Sequence, residues 1–183
     1  MRSKREKGLK NVRVLVNAAM LAAISVVIGI FCKNFLNFGN GLFRITFENF
    51  PIIISGILFG PIVGGAVGLG SDIISYLLSG QAYPPNVIVS IGATLVGVIS
   101  GTVSKFLVKK RGNLQIILSG GLAHLFGSMI VKPIGLFAFY EWAVLWRIPL
   151  YLVIAPLELL IICLLFKNAT FIRLTDSLGK KGE

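Results

Sequence analysis

VRVLVNAAMLAAISVVIGIF, residues 12–31, decides the fold. The stretch is twenty residues long and carries one charge, Arg13, at its start. At about 1.5 Å per residue, about twenty apolar helical residues cross a bilayer core of roughly 30 Å. Its middle reads NAAMLAAIS, with Ala18 and Ala22 four residues apart and Ala19 and Ala23 a second such pair one step on. Residues four apart share a helix face, and small side chains there let another helix approach closely inside lipid. Two readings stand side by side. Either the alanines pack against the chain's own bundle, or one pair is offered to another protein.

The rest of the chain has the same character. Of 183 residues, 55% are hydrophobic and only 14% are charged, where a soluble domain carries about 25%. An all-α, polytopic integral membrane protein follows, with nothing that reads as a cleavable leader. The net charge of +11 is explained by membrane topology rather than by nucleic acid. Cys32 and Cys163 lie in or beside apolar runs without a CxxC or a Cys/His cluster, so no metal site or disulfide framework is signalled.

Three parts are expected: a basic N-terminus over 1–11, a six-helix transmembrane domain over 12–167 and a basic tail over 168–183. The helices are expected near 12–33, 50–69, 71–80, 87–108, 114–131 and 148–167. The second carries Pro61 and many glycines and is read as kinked. The third is short, with Ser71 or Asp72 as its N-cap. Charge settles whether the third crosses. With six crossings and both termini cytoplasmic, fourteen of the eighteen Lys and Arg fall inside, as the positive-inside rule requires.

That topology gathers candidate recognition residues on the outer side. They are Arg44, Glu48 and Asn49 in the first loop, Tyr83 and Asn86 in the second, and Lys132, Tyr140 and Arg147 in the third. Aromatic rings with a few cations suit a flat, partly anionic organic molecule, the rings stacking and a cation pairing a carboxylate. The bland alternative is an interfacial belt of Trp142, Trp146 and snorkelling cations. His124, the single histidine, is either a bundle-interior hydrogen bonder or the floor of a pocket. Glu158 is a carboxylate inside a membrane helix, a functional candidate by position, at a depth that suits pairing with His124. No G-x-x-x-x-G-K-[ST] loop, nucleophile–base pair or metal set is present. The chain is expected to be neither an enzyme nor its own ATPase, and no cofactor is called for.

These residues resemble a family. NAAMLAAIS, the stretch RITFENFPIIISGILFGPIVGGAVGLGSDIISYLL and the YPPN turn after it are similar to the substrate-binding S components of energy-coupling factor (ECF) vitamin transporters. The likeness is greatest to the folate-specific type. The resemblance implies a six-helix bundle in the bacterial cytoplasmic membrane that binds a vitamin, folate, from outside. It implies partners: a transmembrane coupling subunit, the T component, and two ATP-binding-cassette ATPases. It assigns the coupling contact to Ala19 and Ala23, with Ala18 and Ala22 as the alternative, and has the subunit topple in the membrane to deliver the vitamin. Another vitamin, riboflavin or thiamine, or a stand-alone ion-coupled carrier, stays open as the alternative.

Overall fold

The computed structural model describes residues 2–38, 43–79, 86–108 and 112–168, with side chains from Val12 onward except at 43–44, 138–140 and 143. The architecture is all-helical. α1 (Arg2–Phe35) is followed by a small antiparallel ribbon, β1 (Asn37–Phe38) with β2 (Phe43–Arg44). α2 (Asn49–Phe59) and α3 (Pro61–Leu78) come next, then α4 (Val87–Thr102), which ends in a π-helical turn at Val103–Leu107. α5 (Asn113–Ala123), a π-helical segment (His124–Val131) and α6 (Lys132–Tyr140) form one rod. A 3-10 stretch (Glu141–Trp146) leads into α7 (Arg147–Lys167).

Five of these helical rods are long and apolar enough to cross a membrane: 12–35, 61–78, 87–107, 113–137 and 144–167. The sixth, α2, has 11 residues and reaches about 16 Å, roughly half a bilayer core. Large apolar side chains cover the outside of the bundle, among them Leu15, Val27, Ile62, Leu77, Leu114 and Leu152, each more than 60% exposed. Such a surface is that of a multi-pass membrane protein, where lipid tails replace water around the helices.

The expected boundary between the second and third helices is corrected. The chain breaks at Gly60, not after Gly70: Gly60 has φ +88°, and Pro61 opens α3. A positive φ is easy only for glycine, and proline fits the first turn of a helix because its missing N–H has no partner there anyway. Ser71 and Asp72 therefore lie inside α3 and cap nothing. The helix start at Arg2 likewise lies upstream of the expected position 12.

Glycines then set the packing. Gly56 and Gly64 flank the Gly60 turn and touch, since a Cβ on Gly64 would stand 2.7 Å from Gly56 Cα. Across α3 and α4 the backbones meet in register. Gly68 lies on Ala93, Gly64 on Gly97, and the Gly60–Pro61 turn on Gly101. Each step is four residues, so one face of each helix is bare of side chains. Without a hydrophobic drive between helices in lipid, close backbone packing of this kind is what holds them together. Behind this wall sits the apolar core of Ile52, Ile53, Ile54, Val67, Val96, Ile116 and Ile162.

Candidate functional site

The end of the bundle away from the Gly60 turn is polar inside. Glu48 occupies the N-cap position of α2 but makes no capping bond with its side chain. Its carboxylate turns instead to Lys132 at the start of α6, with Nζ 3.1 Å from Oε1. The same ammonium donates to Asn49 Oδ1 at 3.0 Å, and Asn49 Nδ2 donates to Ser128 Oγ at 3.2 Å. Lys132 and Asn49 are buried. A lysine taken out of water at this depth needs such partners, because an unpaired buried ammonium costs several kcal/mol. From α1, Ser25 Oγ donates to the Glu48 carbonyl at 2.6 Å. The chain just before α2 is thus tied to both α1 and the α5–α6 rod.

On the other side of Glu48, Asp72 projects from α3 and accepts from Ser90 Oγ of α4 at 2.6 Å. Between them lies a small cavity lined by Ser25, Glu48, Ile52, Ser71, Asp72, Ser75 and Ala93, of about 190 Å³ including its open mouth. Lys33 near the end of α1 reaches Ser79 Oγ at 3.0 Å, bracing α1 against the end of α3.

Of the residues singled out from the sequence, Glu48, Asn49 and Lys132 form one hydrogen-bonded cluster. Asn86 is nearby but occupied locally. Its Oδ1 accepts from the backbone N–H of Ile88 and Val89, capping α4, and its Nδ2 donates to the Gly135 carbonyl. Arg147 is buried at the start of α7. For Arg44 and Tyr140 only the backbone is described, and Tyr83 lies outside the described residues.

His124 is not part of the cluster. It sits one to two helical turns deeper, at the onset of the π-helical segment, with Nε2 2.7 Å from Glu158 Oε2 of α7. Both side chains are fully enclosed. The contact is that of an ion pair without the directionality of a hydrogen bond, and His124 Nδ1 has no hydrogen-bond partner among the described residues. The pairing expected from their matching depths is present.

The residue that sequence reading misplaced is Asp72. Read as a cap, it is instead a carboxylate within a spanning helix. The Gly60–Pro61 dipeptide was the available signal, because a helix opened by Pro61 carries Asp72 into its interior.

The two alanine pairs of α1 face different surroundings. Ala18 is buried, and Ala22 packs on the core formed by α2, α3 and their neighbours. Ala19 and Ala23 are exposed on the outside of the bundle.

The fold is that of a multi-pass helical membrane protein with a buried polar cluster at one end. The family model of the substrate-specific component of ECF transporters matches residues 13–178. The chain belongs to that family and is a transport protein of the membrane rather than an enzyme. It is 28% identical over 131 residues to the folate transporter FolT of Clostridium novyi (strain NT), covering 70% of each chain. A shorter match, 39% over 66 residues, links 36% of this chain to 13% of the MG098 homologue of Mycoplasma pneumoniae. Among solved structures, FolT bound with folic acid shares the fold, with a TM-score of 0.61 over 80% of this chain and 86% of that one at 23% identity.

Proposed function

We propose that the chain is the folate-binding subunit of an ATP-driven ECF importer, with both termini in the cytoplasm and the Lys132 cluster at the outer end. The observation that carries the reading is the pairing of a buried polar cluster (Glu48, Asn49, Lys132) with a family whose relatives include FolT. Orientation rests on the charges, since Lys105 lies just past the end of α4, away from Ser90 near its start, and the basic run 109–111 follows it in sequence. The chain has no phosphate-binding loop of its own, so energy enters through partners: the coupling subunit and two ATPases. The exposed Ala19 and Ala23 face is where that coupling subunit docks, and Ala18 and Ala22, turned inward, hold α1 to the bundle. With the vitamin outside and the ATPases inside, the subunit topples as a body while docked.

Among the outer cations, Lys132 already spends two donors on Glu48 and Asn49. Arg44, or failing it Lys132 or Arg147, is the cation assigned to a carboxylate of the vitamin, with Tyr83 and Tyr140 as candidate ring contacts. A second reading, the stand-alone ion-coupled carrier, draws on the His124–Glu158 pair, because ionisable groups at mid-membrane mark proton and ion paths. The deciding experiment is mass spectrometry of the small molecule retained by the purified protein, together with uptake assays in a host with and without the coupling subunit. Retained folate and uptake only with the coupling subunit are expected. A different retained vitamin overturns the ligand, and uptake without the coupling subunit installs the carrier.

A further inference from the structure

We propose that the cytoplasmic start of α1 is a collar for anionic phospholipid head groups, built by Arg2, Lys4, Arg5, Lys7, Lys10 and Arg13. The collar serves the membrane and not the vitamin, and the orientation proposed above decides only which leaflet it meets.

Three observations carry it. First, α1 does not stop where its apolar run stops. The helix begins at Arg2, whereas its membrane-length span begins at Val12. Residues 2–11 therefore add about 15 Å along the axis. The interfacial layer of one leaflet is about 5–7 Å deep, half the difference between the whole bilayer and its hydrocarbon core. By register Lys10 stands about 3 Å and Lys7 about 7–8 Å beyond Val12, level with the head groups, and Lys4 and Arg5 stand within a further Debye length of about 8 Å. Second, the cations ring the helix. At about 100° per residue, positions 2, 4, 5, 7, 10 and 13 leave no gap wider than about 100° round the axis. A protein partner covers one face of a helix, whereas head groups surround a helix that leaves a bilayer. Third, the segment lacks the counter-charge that its helix needs. No acid stands in the first turn of α1, and Glu6 is the one acid among residues 1–13. Cations at a helix N-terminus oppose the macrodipole, and like charges three apart (Arg2 and Arg5, Lys4 and Lys7, Lys7 and Lys10, Lys10 and Arg13) repel. A helix of this make-up works against itself in water, and a phosphate surface removes both costs.

The rest of that end of the bundle fits the same level. Lys105, just past the end of α4, and Lys167, at the close of α7, are exposed. Phe106 and Leu107 beside Lys105 are exposed too, so apolar side chains and a cation meet there, as they do at the edge of a hydrocarbon core. Each Lys or Arg near an anionic leaflet strengthens attachment about five-fold. The recognition is by charge and not by shape, so any head group with a net negative phosphate serves. A body that topples has to strip these contacts, so the collar holds the free subunit upright.

The test places the full chain in nanodiscs of phosphatidylcholine mixed with phosphatidylglycerol and counts, by native mass spectrometry, the lipids that stay with the released protein. Because the two leaflets of a nanodisc are alike, the outcome depends neither on the proposed orientation nor on the vitamin. Wild type is expected to hold phosphatidylglycerol in excess of its share of the bilayer, and the excess to shrink as NaCl shortens the Debye length. Lys4→Gln with Lys7→Gln and Lys10→Gln removes three of the six cations and is expected to lose about half of the excess. Lys4→Arg with Lys7→Arg and Lys10→Arg keeps the charge and is expected to keep the excess. No excess in wild type, or the same excess in wild type and the glutamine variant, overturns the collar. An arginine variant that loses as much as the glutamine variant also overturns it, because charge is then not what holds the lipid. A glutamine variant that keeps its lipid but no longer co-purifies with the coupling subunit from pure phosphatidylcholine replaces the collar by a protein-docking arm.

Discussion

The two ends of the bundle are built on opposite principles. At the Gly60 end, α2, α3 and α4 touch backbone to backbone through Gly56, Gly64, Gly97 and Gly101, and the polar bonds beside them are serine bonds within a helix, Ser104 Oγ to the Ile57 carbonyl and Gln115 Nε2 to Ser104. At the Lys132 end the helices place Glu48, Asn49, Asp72, Ser25, Ser75 and Ser90 on their inner sides. At the first end backbone meets backbone, and at the second polar side chains bond across the helices. On the proposed reading, the first end holds the fold and the second meets the ligand.

The strongest way to break that contrast is to insert a side chain into the wall. Gly97→Leu places atoms directly against the Gly64 carbonyl and the Gly65 nitrogen, which are backbone and cannot rotate away. Overpacking a well-packed core costs about 1–3 kcal/mol when side chains can yield, and here none can. Gly97→Leu is expected to yield no monodisperse folded protein on size-exclusion chromatography in detergent. The same substitution at Gly121, which has open space around it, should leave the elution profile unchanged. A well-folded Gly97→Leu protein removes the wall from the account.

A smaller effect is expected at the deep pair, which lies between the two regimes. Truncating one member of a buried ion pair costs about 3–5 kcal/mol, whereas replacing both with apolar groups is often neutral. Glu158→Leu alone is therefore expected to lower the thermal midpoint sharply, and His124→Leu with Glu158→Leu to restore most of it. Folate affinity of the double variant, measured by calorimetry, is expected to match wild type if the pair is structural. Loss of affinity in the refolded double variant would make His124 the floor of the ligand site.

How far the sequence reveals these regions depends on what marks them. α1, α4 and α7 are readable because each is an apolar run of membrane length bounded by charges or turn residues. The His124–Glu158 pair is readable from depth alone, since counting residues from the helix ends puts both at mid-span. The α2–α3 boundary is not, because within lipid both helices are apolar on nearly every side and no change of pattern marks the end. Gly60–Pro61 is the one local sign, and in a membrane helix the same dipeptide also reads as a kink. That single ambiguity carried Asp72 out of the candidate site. The Lys132 cluster was legible as a set of outer-end residues, but not as a network, because the Lys132–Glu48 contact spans 84 positions.

The smallest expected change in stability accompanies the largest expected change in transport, and it lies on α1. One side of this helix belongs to the wall: Ala18 is 7% exposed and joins the core with Ala22. The pair one position on, about 100° round the helix, is exposed on the outside of the bundle. Helix association in lipid depends on close approach, so a bulky ring on either face blocks whatever approaches there. On the inner face the blocked partner is the bundle itself. Ala18→Trp with Ala22→Trp is expected to unfold the protein or lower its thermal midpoint strongly, taking vitamin binding with it. On the outer face, in the proposed assembly, the blocked partner is the coupling subunit. Ala19→Trp with Ala23→Trp is expected to shift stability by less than about 0.5 kcal/mol, the usual range for a surface change, and to leave folate affinity as it was. Co-purification with the coupling subunit and uptake into cells should both be lost. Should uptake survive the outer pair while assembly is intact, the coupling face lies elsewhere on the bundle. Should the outer pair also abolish vitamin binding, α1 is internal on both sides and the division between its faces disappears.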